Sequence, residues 1–89
     1  MKAILTVIGQ DKVGIIAGVS QKMLEYSINI LDVNQTIMQG FFTMIMVLDC
    51  KDMKGSFEDV RAGLTVESER LGVEIKIQRE EIFKSMHSL

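Results

Sequence analysis

The sequence predicts a small α+β domain in which four antiparallel strands form one sheet and two helices cover one of its faces. Three observations lead to this prediction. Four apolar or alternating runs are typical of strands, two longer stretches carry apolar residues at three- and four-residue spacing, and glycines separate several of these segments. Because the chain has 89 residues, we expect a single domain spanning residues 1–89, with its core formed by residues 2–78.

The first strand leads through a short loop into the first helix. Residues 3–8 are apolar except for Thr6, which is typical of a strand buried on most of its surface. Asp11 occupies the position expected for a helix N-cap, and Gly14 leaves the start of the helix open to a small ligand. Free amide groups at a helix start attract anions, so residues 9–16 are a candidate binding site. The alternative is a tight turn with no further role.

The first helix is expected at about residues 13–26. Its apolar residues recur at helical spacing and predict one buried face, while Gln21, Lys22 and Glu25 lie opposite. The predicted buried face consists of Val13, Ile16, Ala17, Val19, Ser20, Met23 and Leu24.

The next two strands are expected to form a hairpin. Residues 28–37 mix apolar with polar side chains, which indicates a half-exposed edge strand. Gly40 marks the turn, and residues 41–48 are almost wholly apolar, which indicates a central strand.

The second half of the chain repeats the pattern. Ser56 and Asp59 have the form of a capping box at the start of a second helix, and Gly72 is placed to end it. An alternating run at residues 73–78 predicts the last strand, and a C-terminal amphipathic helix is expected at about residues 79–89. The predicted buried face of the second helix is Phe57, Val60, Leu64 and Leu71, and the apolar face of the C-terminal helix is Ile82, Phe83, Met86 and Leu89.

This order of elements, βαββαβ, is the ferredoxin-like arrangement with an extra C-terminal helix. In it the first and third strands are central, and both main helices cover the same face of the sheet. The other face needs a cover, which the C-terminal helix or a second copy of the chain supplies. We therefore predict a homodimer.

Composition and charge exclude several classes of function. The formal net charge of −2 lacks the basic excess of a nucleic-acid-binding protein, and adjacent Phe41 and Phe42 point to opposite faces, unlike the stacking aromatics of an RNA-recognition domain. Cys50 is the only cysteine, so no internal disulfide or multi-cysteine metal site is expected. No apolar stretch is long enough for a secretion signal or a membrane span, and we expect a cytoplasmic protein with no membrane partner.

The sequence offers no constellation of catalytic residues. Cys50 has no base placed beside it, and His87 stands near the C-terminus with no partner at catalytic or metal-ligand spacing. The first loop lacks the arginine of an acylphosphatase-type hydrolase. We therefore predict no enzyme activity, no metal and no cofactor.

The segment Gln10-Asp11-Lys12-Val13-Gly14-Ile15-Ile16, followed by a helix, by Ser27-Ile28-Asn29-Ile30-Leu31-Asp32-Val33 and by a hairpin, resembles an ACT domain over about residues 2–78. Small stand-alone members of that family, and the domains of the glycine cleavage system transcriptional repressor, are the most similar. Lys12 stands where the family usually has arginine, and Val13 stands where it usually has proline.

The resemblance implies a non-enzymatic regulatory module that binds an amino acid or a related small anion at a homodimer interface and modulates a partner protein. The implied ligand-binding residues are Gly9, Gln10, Asp11, Lys12, Val13, Gly14, Ile15 and Asn29. Two of these roles stay open, because Asp11 is either the helix cap or the acceptor of an amino group, and Asn29 is either a ligand contact or the residue that opens an edge strand. The alternative function is a structural or protein-interaction dimer without a small-molecule ligand.

Overall fold

The structure is a computed structural model that describes the backbone of residues 1–87 and the side chains of residues 1–86. The elements follow the predicted βαββαβ order, with a C-terminal helix added. Two residues named in the sequence analysis are not covered. Leu89, which was predicted on the apolar face of the C-terminal helix, and the side chain of His87 lie outside the described residues. The elements are β1 (Lys2–Gln10), α1 (Ile15–Glu25), β2 (Asn29–Met38), β3 (Phe41–Asp49), α2 (Phe57–Leu71), β4 (Glu74–Arg79) and α3 (Glu80–His87).

The four strands form one antiparallel sheet in the order β2-β3-β1-β4. The prediction that the first and third strands are central is therefore confirmed, and β2 and β4 are the two edges. Gln39 and Gly40 connect β2 to β3 with φ angles of 51° and 83°. Positive φ at both central residues of a two-residue loop is the signature of a type I′ turn, which suits the twist of paired strands.

Alternate residues of the central strands fill the core between the sheet and the helices. Phe42 is buried there, whereas Phe41 is exposed on the opposite face, as their adjacent positions predict. The core residues contributed by β1 and β3 are Ala3, Leu5, Val7, Phe42, Met44, Met46 and Leu48.

Most of the residues that were predicted to form the buried face of α1 are exposed, so this prediction is wrong. The helix carries apolar residues around most of its circumference, so the hydrophobic period permits more than one buried face. Gly18 decides between them, because a Cβ atom at this position would collide with Glu67 and contact Leu71, and its absence lets α2 pack closely. The buried residues are Ile15, Gly18, Val19 and Met23, and the predicted residues that are instead exposed are Val13, Ile16, Ala17 and Leu24.

Helix α2 agrees with its sequence signals. The Ser56 hydroxyl accepts a hydrogen bond from the Asp59 N–H (3.1 Å), and the Asp59 carboxylate accepts one from the Ser56 N–H (2.9 Å), so the predicted capping box is confirmed. Gly72 ends the helix in the left-handed conformation. The predicted buried residues Phe57, Val60, Leu64 and Leu71 are all buried.

Helix α3 lies on the face of the sheet that α1 and α2 leave open, and it contacts β1 and β4. Phe83 is half-buried, whereas Ile82 and Met86 are exposed, so the predicted apolar face of this helix is only partly covered. On the same sheet face, Phe41 and Ile45 of β3 also remain exposed.

Glu67 is the one buried charged side chain within the described residues, and it lies where α1 and α2 meet. Arg70 Nε donates a hydrogen bond to Glu67 Oε2 at 3.1 Å, and the two side chains also form an ion pair. The hydrogen bond from Arg70 holds the pKa of Glu67 below its ordinary value, and this effect exceeds the opposing effect of burial.

Because folding lowers this pKa, the Glu67 carboxylate stabilises the fold above its ordinary pKa of 4.5, and the contribution disappears as the pH falls through the lower pKa of the folded state. We expect Glu67→Gln to be less stable than the wild type at pH 7, with the difference narrowing below about pH 4.5. Urea denaturation at a series of pH values measures this. Glu69→Gln, an exposed change on the same helix, is the matched control. The expectation would be contradicted if the difference in free energy of unfolding between the wild type and Glu67→Gln stayed the same from pH 7 to pH 3.

Candidate functional site

The loop between β1 and α1 is fixed by a backbone hydrogen bond to the β2–β3 turn. The Asp11 N–H donates to the Gly40 carbonyl at 2.8 Å, which places the loop beside the end of the hairpin. The prediction that Asp11 caps the helix is wrong, because Gly14 is the N-cap residue and no described side chain caps this helix. The Asp11 side chain is exposed, so its carboxylate is accessible to a ligand.

The start of α1 is therefore open. Gly14 has φ +98°, a conformation that favours glycine, and a Cβ atom there would have no neighbour within 4 Å. The first intrahelical hydrogen bond runs from the Gly18 N–H to the Gly14 carbonyl, so the amides of residues 15–17 have no acceptor within the helix. The first turn also carries no acidic residue, and its partial positive charge remains available to an anion.

Two of the predicted site residues lie close to other parts of the same chain. A Cβ atom at Gly9 would lie 2.7 Å from Val73 Cγ1 and 3.2 Å from Val73 Cα, so glycine is needed for the close approach of the segment before β4. Lys12 extends toward the end of α2, since its Nζ lies 3.0 Å from the position of a Cβ atom on Gly72. A cation there complements the negative end of the helix dipole.

Three other predicted residues differ in what they can offer a ligand. Val13 is fully exposed and Gln10 is exposed at the end of β1, so their side chains are accessible. The Ile15 side chain is only 1% exposed and belongs to the core, so this residue has only its backbone amide to offer.

Asn29 does not lie near the loop of its own chain. It is the first residue of β2 and pairs with Asp49, whereas Gln10 pairs with Phe41 at the other end of the sheet, next to Met38. The length of β2, about 30 Å at roughly 3.4 Å per residue, therefore separates Asn29 from the start of α1. Only a second chain can bring the two together.

Sequence reasoning missed an apolar surface beside the open helix start. Val33 and Ile37 of β2 point to the side of the sheet that carries the helices, because they pair with the buried Met46 and Phe42, yet both are exposed. Ile16 lies about 200° around α1 from Gly18 and so faces away from α2. We call Ile16, Val33 and Ile37 the edge surface. The signal in the sequence was the excess of apolar residues around α1.

The exposed edge of β2 is irregular near its start. The pairing register shifts between Ile30 and Asp32, which leaves Leu31 as an extra residue. The Asp32 carboxylate accepts a hydrogen bond from the Val33 N–H at 2.9 Å, so one backbone donor of this edge is already occupied.

No cluster of metal-ligating side chains occurs within the part of the chain that the structure describes. Cys50 is buried, and burial raises the pKa of its thiol, which disfavours the reactive thiolate. Among the described helices, none has the length and apolar character needed to cross a bilayer.

Comparison with known proteins identifies the family. Residues 2–78 match the family model described as ACT domain. A UPF0237 protein of Listeria innocua is 56% identical over 89 residues and is covered completely, as is this chain. The solved ACT domain protein from Streptococcus pneumoniae superposes with a TM-score of 0.81 at 44% identity, covering 94% of each chain. A glycine cleavage system transcriptional repressor has a TM-score of 0.73 at 18% identity over 86% of this chain and 44% of its own, which supports the fold alone.

The architecture is thus that of a ferredoxin-like domain with an open helix start that follows the central strand β1, close to the β2–β3 turn. The chain belongs to the ACT domain family, whose members are typically regulatory small-molecule-binding modules.

Proposed function

We propose that two copies of this chain bind an amino acid between them and that this binding regulates a partner protein. The observation that carries the proposal is the uncapped start of α1, which lies beside an exposed apolar edge in a chain of the ACT family. The amides of residues 15–17, which have no acceptor within the helix, are suited to donate hydrogen bonds to the ligand carboxylate. The exposed carboxylate of Asp11 is suited to accept its ammonium group.

The second copy supplies what the single chain lacks. If two β2 strands lie antiparallel about a twofold axis near Val33 and Asn34, Asn29 of each chain comes opposite Met38 of the other. Met38 adjoins Phe41 and Gln10 at the loop end of the sheet, so Asn29 of each chain would face the helix start of its partner. Such an interface uses the same patch of both chains, as twofold dimers do.

The edge surface provides the affinity in this arrangement. Ile16, Val33 and Ile37 are exposed in the single chain, and a partner that lies beside β2 would cover them. Because the Asp32 carboxylate already occupies the Val33 N–H, apolar contact contributes more to this interface than a continuous ladder of hydrogen bonds.

A thermal-shift screen of the twenty amino acids tests the proposal. An amino acid at 100 times its dissociation constant should stabilise the protein by about 2.7 kcal/mol, which corresponds to a rise in Tm of roughly 10 °C or more for a domain of this size. Asn29→Ala and Asp11→Ala should each weaken binding by about tenfold, the loss expected for a hydrogen bond to a charged group.

Gln21→Ala is the control, since it removes an exposed amide from α1 away from the proposed site. A stabilising amino acid whose effect survives both Asn29→Ala and Asp11→Ala would place the ligand elsewhere. If no amino acid stabilises the wild type, the chain is better described as a structural or protein-interaction dimer without a small-molecule ligand.

A further inference from the structure

A cavity of about 280 Å³ lies between α3 and the open face of the sheet. Strands β1 and β4 form its floor, and Phe83 and Met86 of α3 form one wall. Its volume is just below the range of roughly 300–1,000 Å³ that is usual for ligand sites, so it suits a small molecule. Because β4 is the sheet edge opposite β2, the cavity stays open when two chains meet through their edge surfaces.

Two opposite charges stand side by side on this floor. Lys76 Nζ lies 3.3 Å from Glu74 Oε1, and both side chains are about two-thirds exposed. An exposed ion pair of this kind contributes little to stability, so a ligand that separates the two groups loses little by doing so. The ammonium and carboxylate of an α-amino acid are held a similarly short distance apart, so one such ligand can pair with both side chains.

Apolar surface lies next to these charges. Ile8 of β1 is half exposed although it faces α3, and Met86 is also exposed. The Gln78 side chain donates a hydrogen bond to Met86 Sδ at 3.3 Å, which holds this end of α3 over β4. A methionine side chain adapts easily to a neighbouring apolar group, so an apolar ligand side chain would be covered here.

We propose that this cavity is a second binding site, separate from the start of α1, and that its ligand is an α-amino acid with an apolar side chain. The ligand ammonium pairs with Glu74, its carboxylate pairs with Lys76, and its side chain packs against Ile8, Phe83 and Met86. Because α3 forms the wall, an occupied cavity holds this helix more firmly on the sheet.

Titration of the ¹⁵N-labelled protein with L-leucine, followed by NMR, tests the proposal. Saturable shifts are expected for the amides of Thr6, Ile8, Lys76 and Phe83, with a dissociation constant about two- to fivefold higher in Lys76→Gln and in Glu74→Gln, the range expected for exposed ion pairs. Lys84→Gln, an exposed change on α3, is the matched control and should bind like the wild type. Isoamylamine and 4-methylpentanoate, which each lack one of the two charges, should likewise bind about two- to fivefold more weakly than leucine.

The two sites are distinguished in the same experiment. Cavity shifts that saturate at higher leucine concentration in Lys76→Gln but are unchanged in Asn29→Ala support the second site, whatever happens at the start of α1. If the shifts are confined to residues 14–17 and 29, the second site is overturned, and the result agrees with the proposed dimer site. If leucine shifts neither region, or if leucine and its single-charge analogues bind the cavity equally, the second site is also overturned.

Discussion

Replacing Leu5 with alanine is expected to lower the free energy of unfolding by about 2–5 kcal/mol, the range measured for buried leucines in protein cores. Leu5 is fully buried on the central strand β1, where it lies between Met46 of β3 and Ile77 of β4. The loss has two parts, since the removed methyl groups no longer leave water on folding and the surrounding strands are hydrogen-bonded and cannot close the cavity.

Urea denaturation followed by circular dichroism measures this change as a lower midpoint with an unchanged slope. Leu24→Ala is the matched control, because it makes the same chemical change at a side chain that is 72% exposed on α1. It should alter stability by no more than about 0.5 kcal/mol. Equal effects of the two substitutions would mean that the core does not lie between the sheet and the two main helices.

Placing a charge on the edge surface is expected to separate the dimer. Ile37→Glu should raise the dimer dissociation constant by about tenfold or more. Ile37 is 52% exposed in the single chain, so each of the two chains would lose about half of the roughly 1.5–3 kcal/mol of a fully buried isoleucine, and a tenfold change corresponds to about 1.4 kcal/mol. Sedimentation equilibrium over a range of micromolar concentrations measures the constant. The fold of the single chain should survive, because Ile37 is exposed in it.

Ile45→Glu provides the control for this experiment and tests the competing arrangement. Ile45 is similarly exposed, but it lies on the open face of the sheet, where two chains would meet if they associated face to face. If the dimer forms through the edge surface, the dimer dissociation constant of Ile45→Glu should lie within about threefold of the wild-type value. A dimer that Ile45→Glu separates and Ile37→Glu leaves intact would show face-to-face association, and a wild-type chain that stays monomeric would exclude both arrangements.

Most of the fold could be predicted from short stretches of sequence. The capping box of Ser56 and Asp59 and the turn at Gly40 depend on residues no more than three positions apart, so a local pattern is sufficient to predict them. The nearly unbroken apolar runs at residues 3–8 and 41–48 likewise predicted which strands are central, because central strands of a covered sheet have few polar positions.

The candidate site was predicted less completely, because its geometry depends on distant parts of the chain. Asp11 suits a helix cap by residue type, yet its N–H is bonded to Gly40, which lies 29 positions away, and the helix begins only at Ile15. Lys12 was named as a ligand-binding residue from the sequence, but in the fold its side chain extends toward the end of α2. Neither arrangement is visible in the loop sequence alone.

The sequence by itself determined the order of the elements, their approximate bounds and the family resemblance, since periodicity, capping and turn preferences act over a few residues. Only the tertiary structure decided which side of α1 is buried, because that depends on how closely α2 approaches Gly18. It also decided that Asn29 and the helix start lie at opposite ends of the sheet, since strand pairing fixes direction and register. The sequence therefore names the candidate ligand-binding residues, and the fold determines that one chain cannot bring them together.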